Sequence, residues 1–348
     1  MANGIIISAQ RNIDQAGDIS ASLNILEQAR EAGLKQASLS IDPLSTDWNS
    51  PLEEGHFRSG CGPIEALAVA NRMISQSEAD VVAIRGRDYL KSEYSREERH
   101  QLMTIYEDDI SIPEAYTQLT RHFCRLQGLS EQEFINLRDQ IFQNLSRTAE
   151  QQGISLPDQR WFTPLTDLFR GVDCANPGID FDGILIVAHP DIVNSLETSM
   201  PPVKVCGTGI GIADQDGPHY TQTLAEYHAL EKALHYASIQ SGIDLCQSIR
   251  SPEVLLDAYT CYPVVPLALL IISGAATTPE AISEFLATRP LTQTGGMNLA
   301  RAPWNNPALN GLIAMCEALQ QAPGQTGIVH GNGGLGYKQG LAVLSSNV

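Results

Sequence analysis

Gly60-Cys61-Gly62-Pro63-Ile64-Glu65-Ala66-Leu67-Ala68-Val69-Ala70-Asn71-Arg72-Met73-Ile74-Ser75, followed by Ala79-Asp80-Val81-Val82-Ala83-Ile84, decides how this chain is read. Proline is favoured at the first positions of a helix, where its missing N–H costs nothing. The helix predicted over 64–75 is apolar or small almost all round, so it belongs deep in the interior. The continuous apolar run at 79–84 suits a strand covered on both faces. The same loop, helix and strand recur at 307–320 and 328–329. The repeat predicts a duplicated α/β unit, with parallel strands joined by helices.

Working outward, residues 4–8 read as a strand, 19–32 as a helix stopped by Gly33, 34–41 as a strand and 42–58 as a loop. Residues 91–152 are polar and mostly helical in pattern. Amphipathic helices over 112–126 and 131–149, separated by Gly128, mark them as an insertion in the first half. Apolar strands follow at 181–188 and 203–205. The run Cys206-Gly207-Thr208-Gly209-Ile210-Gly211 has its third glycine too early for a dinucleotide fingerprint, and a plain turn is the reading. A helix at 221–241, a strand at 254–259, a helix at 264–272 opened by Pro263, a helix at 308–322 and a strand at 327–329 complete the chain. His330-Gly331-Asn332-Gly333-Gly334 is expected to be a tight turn. The domain expectation is two halves, 1–195 and 196–348.

The chain has 348 residues, 43% hydrophobic and 18% charged, which suits a folded interior. Its 22 Lys+Arg against 40 Asp+Glu give a net charge of -18, which disfavours nucleic acid as a partner. The apolar run at 264–272 is too short to span a bilayer. The opening residues read as a strand, not a signal peptide. Seven scattered cysteines with no CxxC pair point to a reducing cytoplasm, with no metal site expected.

Cys61 precedes a helix start, where N–H dipoles favour a thiolate. That makes it a candidate nucleophile; the alternative is a buried cysteine in a tight loop. His330 stands at the end of a strand, where open α/β sheets build sites, and is a candidate base. The alternative is a histidine on a surface turn.

Taken in order, these pieces resemble the thiolase superfamily, closest to its acetyl-CoA acetyltransferase and sterol-carrier-protein-type branch. The resemblance rests on residues 4–11, on 61–75 with Ser77-Glu78-Ala79-Asp80-Val81-Val82-Ala83, and on Glu114-Ala115-Tyr116. It continues through Pro164-Leu165, Val172-Asp173-Cys174 and Asp182-Gly183, then Asp257-Ala258-Tyr259-Thr260-Cys261-Tyr262-Pro263. It ends with Thr294-Gly295-Gly296, Asn305-Asn306 and residues 330–334. It implies an α/β thiolase fold: two βαβαβαββ halves in a five-layered αβαβα core with a helical loop insertion. It also implies a cysteine that takes an acyl group from an acyl-CoA, with C–C bond formation or cleavage in lipid metabolism. No permanently bound cofactor is expected; a coenzyme A thioester is the substrate. A homodimer is expected, as is a hetero-complex with another thiolase-family or OB-fold subunit.

Aligned without a gap on Glu65-Ala66-Leu67-Ala68, the family's nucleophile falls on Gly60, and Cys61 is one residue late. The Gly-His-Pro histidine falls near Ala302-Pro303 and is missing. Tyr259 stands at the family's Asn or His position, and His330 at its C-terminal cysteine position. Two readings follow. One is an acyltransferase with Cys61 as nucleophile, His330 as base, and Tyr259 and Asn306 near the acyl oxygen. Its coenzyme A phosphates would be met by arginines of the helical insertion, Arg121 and Arg125 first and also Arg138 and Arg147, and its glycine loops are Gly295-Gly296 and Gly333-Gly334. The other is a thiolase homologue without catalysis, a subunit or scaffold for an active partner.

Overall fold

The computed structural model describes residues 3–44, 52–106, 110–299 and 301–347. The first half supplies β1 (Ile5–Ile13), β2 (Ala16–Gly17), α1 (Ser20–Glu31), β3 (Gln36–Ile41), β4 (His56–Phe57), α2 (Gly62–Ser75) and β5 (Val81–Tyr89). Then come the inserted helices α3 (Arg96–Met103), α4 (Ile112–Gln127) and α5 (Glu131–Gln151), and β6 (Asp180–Ala188). The second half supplies β7 (Val203–Ile212), α6 (Thr221–Leu224), α7 (His228–Ser241), α8 (Leu245–Arg250) and β8 (Val254–Asp257). It ends with α9 (Val264–Ile272), α10 (Pro279–Thr288), α11 (Pro307–Gln321), β9 (Thr326–Gly333) and β10 (Lys338–Ser345).

The duplication is visible in strand pairing. β1 pairs antiparallel with β6, β6 antiparallel with β5, and β5 parallel with β3. β7, β10, β9 and β8 repeat that order of antiparallel, antiparallel and parallel. The halves join where Ile5 and Ile6 pair with Lys204 and Val203, giving the order β4-β3-β5-β6-β1-β7-β10-β9-β8. Between the two sheet halves lie α2 and α11, whose Ile64, Leu67, Leu312 and Met315 share one apolar core with Val82, Leu185, Val205 and Ala342. That is the deep burial expected from the uniform apolarity of 64–75. α1 covers one outer face through Ile25 and Ala29. α7, α9 and the inserted α4 and α5 share the core on the other side. This layering is the α/β thiolase fold expected above.

The inserted helices start where their sequence says. Ser111 with Glu114 and Ser130 with Glu133 form capping boxes, and Gly128 ends α4 in the left-handed region. Three local expectations are corrected. The loop at 42–58 contains the short strand β4, parallel to β3. Residues 330–334 are not a free turn, since β9 runs to Gly333 in register with β10. The glycines at 207, 209 and 211 are likewise inside β7 rather than in a turn. They are there because α7 lies almost on the strand. A Cβ at 209 would stand 1.9 Å from the Ala233 carbonyl oxygen, and one at 211 would stand 1.8 Å from that of Ala229. Such glycines mark a close approach of two backbones.

Gly209→Ala therefore forces α7 away from the sheet. Denaturant unfolding should show a loss of about 1–3 kcal/mol, the usual cost of overpacking a tight interior. A wild-type midpoint for this variant would contradict the packing.

Candidate functional site

A cavity of about 590 Å³ opens where the loops before α2, α9 and α11 meet the insertion. Ser59 and Gly60 come from the first loop, Tyr259, Cys261 and Tyr262 from the second, and Pro303, Trp304 and Asn305 from the third. The insertion adds Met103 to Tyr106, Ile110 to Pro113 and Tyr116, and the end of β9 adds Asn332.

The third loop is gripped by two buried carboxylates. Asp88 accepts hydrogen bonds from the backbone N–H of Trp304 (2.8 Å) and Asn305 (3.0 Å) and from Asn306 Nδ2 (2.8 Å). Asp257 accepts from the N–H groups of Gln293 (2.7 Å) and Thr294 (3.1 Å). Burial raises both carboxyls to about 6, against the pull of these donors. Asp88 was not among the residues singled out from sequence. Its only signal there is an acidic side chain near the end of a strand that begins as an apolar run.

The expected nucleophile is placed elsewhere. Cys61 is fully buried and does not line the cavity. A Cβ at Gly340 would stand 2.7 Å from Cys61 Sγ, so the thiol points onto β10, beneath Ile64. Burial raises its pKa well above the ordinary value, with Glu65 adding to the effect and Lys338 opposing it. The expectation of a lowered thiol pKa is thus overturned: desolvation outweighs the helix N-terminus. Gly60, one residue earlier, does face the cavity. Around a helix start each residue turns by about 100°, so a one-residue shift exchanges cavity for core.

Position 60 has no room for a side chain. A Cβ there would lie 1.9 Å from the Tyr259 hydroxyl and 2.5 Å from the Asn332 carbonyl oxygen. Tyr259 is therefore at the cavity, as expected, with its phenol in the space of a residue-60 side chain. Burial raises its pKa well above the ordinary value, so it carries its proton at neutral pH.

His330 is 1% exposed and does not line the large cavity. Its Nε2 shares a 2.7 Å hydrogen bond with Gln339 Oε1, while Nδ1 has no partner. Burial lowers its pKa to about 4, so it is a neutral core histidine, not a surface turn residue. Asn306 supports the loop through Asp88 and is fully buried away from the cavity. Gly334 lines the cavity, whereas Gly295, Gly296 and Gly333 do not. Gly295 and Gly296 have φ of +82° and +84° and pack on Ala149 and Leu145.

The arginines do not gather at the cavity either. Arg121 is paired with Glu131 and Asp167, each at 2.9 Å. Arg125 is exposed and does not line the cavity. Arg138 is bonded to the Leu168 carbonyl (2.6 Å) and to Asp139, and Arg147 to the Leu286 carbonyl. Sequence reasoning missed Tyr116, Cys261 and Asn332 as cavity residues. Tyr116 donates to the Gly334 carbonyl (2.8 Å) and lies 3.3 Å from Cys261 Sγ. Burial raises the Cys261 thiol to about 12. All three stood inside motifs already noticed, but nothing in those motifs said that their side chains meet at one cavity.

Two measurements check this geometry. Cys206 and Cys246 are the partly exposed thiols. Iodoacetamide at neutral pH should label them in the native protein and reach Cys61 only after unfolding; rapid labelling of Cys61 would contradict its placement. The second uses acid. The folded pKa of His330 lies below its unfolded value, so the unfolded chain binds the proton first. Its contribution to stability is present above about pH 6.5 and falls as the pH drops toward 4, by roughly 3 kcal/mol in all. Relative to His330→Asn, the wild type should lose stability across that window. Parallel curves would refute the buried neutral imidazole.

No protein-family model and no curated protein matches the sequence. Solved structures do match its fold. A monomeric SCP2-thiolase like protein type 1 from Mycobacterium smegmatis superposes with a TM-score of 0.71 at 18% identity, covering 99% of this chain and 78% of that one. An Ltp2-ChsH2(DUF35) aldolase gives a TM-score of 0.63 at 14% identity, covering 99% and 98%. Acat5 thiolase from Ascaris suum, in complex with coenzyme A, gives 0.61 at 12% identity, covering 99% of each chain. At these identities the likeness is one of architecture, and the chain has the thiolase-superfamily fold.

Proposed function

We propose that this chain is a thiolase-fold protein without cysteine thioester chemistry, acting as a subunit beside an active partner. One observation carries the reading: the Tyr259 hydroxyl takes the space that a side chain at position 60 would need. A thioester intermediate requires an accessible thiolate. Cys61 is turned into the core, and the Cys261 thiol at the cavity wall is protonated at neutral pH. His330 is buried, does not line the cavity and has its Nε2 engaged by Gln339, which does not support a role as base for a ligand there. The thiolase-like folds that match include a two-component Ltp2-ChsH2(DUF35) aldolase, which supports a place in a hetero-complex. The Acat5 thiolase bound to coenzyme A supports an acyl-CoA or its fragment as the kind of ligand such a fold accommodates. The alternative, acyl transfer through Cys61, needs the loop at 59–61 to shift by one residue against β9 and β10.

The test is intact-protein mass spectrometry after incubation with acetyl-CoA, acetoacetyl-CoA or octanoyl-CoA. No acyl adduct should form, and thiolysis of acetoacetyl-CoA by the chain alone should stay at the rate of the buffer blank. An adduct on Cys61 or Cys261 would restore the acyltransferase reading.

A further inference from the structure

Arg138, expected from sequence to meet a phosphate, is turned into the interior instead. It is buried on α5, where its Nη1 donates to the Leu168 carbonyl (2.6 Å) and its Nε and Nη2 donate to Asp139 Oδ1 (3.2 and 3.0 Å). Its Nε also lies 3.6 Å from Asp173 Oδ2. A guanidinium has five N–H groups, so two are left over. Asn298, in the loop between the Asp257 and Asp88 anchors, is buried too, and its Oδ1 has no hydrogen-bond partner.

Both residues line one small void between α5, the segment at 172–173, the loop before α9 and the loop at 293–306. The void measures about 10 Å³, the room that a single water requires. Every described residue lining it is buried except Phe142, which is half-buried. Six of these residues are apolar; the polar four are Arg138, Asp173, Thr260 and Asn298. Asp173 accepts from Arg170 through both oxygens. Thr260 Oγ1 accepts from the Met297 N–H (2.9 Å), and its own proton has no acceptor among the described residues.

The wall therefore offers spare donors on Arg138 and Thr260 and a spare acceptor on Asn298. A cation placed there meets the Arg138 guanidinium, and an anion meets the Asp173 carboxylate, so charge of either sign is opposed. A water both donates and accepts, and serves the two kinds of group at once. An amide oxygen buried without a partner costs stability, and internal waters settle where two to four polar groups converge.

From this geometry we infer that the void is the binding site of one internal water, which donates to Asn298 Oδ1 and accepts from the Arg138 guanidinium. The water ties α5 of the insertion to the loop whose Met297 lines the large cavity. It gives Arg138 a duty inside the fold in place of a phosphate outside it, whether the chain is a catalyst or a subunit.

High-resolution crystallography of the whole chain tests the site, with oxygen-17 magnetic relaxation dispersion of water as the measurement in solution. One solvent peak should stand about 2.7–3.2 Å from both Asn298 Oδ1 and an Arg138 nitrogen. Asn298→Leu removes the acceptor and adds apolar bulk; the peak should vanish, and the dispersion amplitude should fall by one long-lived water. The proposal is overturned if the wild-type void shows no peak, or if Asn298→Leu keeps the full amplitude. It is overturned as well if soaked bromide or rubidium gives an anomalous peak in the void, since an ion is then the occupant. The crystal and the soaks use the unmodified protein, so they decide the matter even where the variant fails to fold.

Discussion

Two carboxylates out of reach of water hold the working end of this molecule together. Asp88 on β5 fixes the backbone at 304–305 and the Asn306 side chain, and Asp257 at the end of β8 fixes the backbone at 293–294. The loop between these anchors carries Met297, Pro303 and Trp304 onto the cavity wall and then becomes α11. A buried carboxylate is costly alone and tolerable when several N–H groups point at it. Here one strand from each half supplies one, so the duplicated halves jointly position a loop that belongs to the second.

The central layer sets the chemistry. α2 and α11 are clasped by both sheet halves, and there is no slack around their first turns. Gly331 and Gly340 let β9 and β10 come down onto Cys61 and Ile64. In that environment a cysteine one residue away from the cavity-facing position is a core residue, and burial governs its thiol. The open position is Gly60, and the phenol of Tyr259 has taken the space beside it. The glycine at position 60 and the phenol of Tyr259 are therefore one packing arrangement seen from two residues, since a side chain at 60 and the Tyr259 hydroxyl would claim the same space.

The insertion shows how a segment can belong to one half in sequence and the other in space. α4 and α5 interrupt the first half between β5 and β6, yet they share a core with α9 and α10 of the second. The apolar stripes of these helices were legible as stripes. Their partner was not, because a helix face states only that something apolar must cover it. The cavity is a product of that docking, since Met103 at the end of α3 and Ile112, Pro113 and Tyr116 in the first turns of α4 line it.

The fold was legible because it is written in local signals that agree. The apolar helix at 64–75, the repeat at 307–320, the proline helix starts and the ordered motifs all point one way, and periodicity with burial pattern suffices to decode them. The site was less legible. Tyr259 was found through its place in the resemblance, and the misalignment at Gly60 was visible in the spacing. What the sequence could not show is which way Cys61 and His330 face, that the glycines at 207–211 make room for a helix instead of a turn, or that Asp88 reaches across to another loop. Each depends on contacts between residues far apart in the chain. Side-chain direction, desolvation and free space exist only once two backbones have been brought together. Sequence therefore determined the architecture and the absence of a cysteine at position 60, and tertiary packing alone decided that a tyrosine hydroxyl would stand in its place.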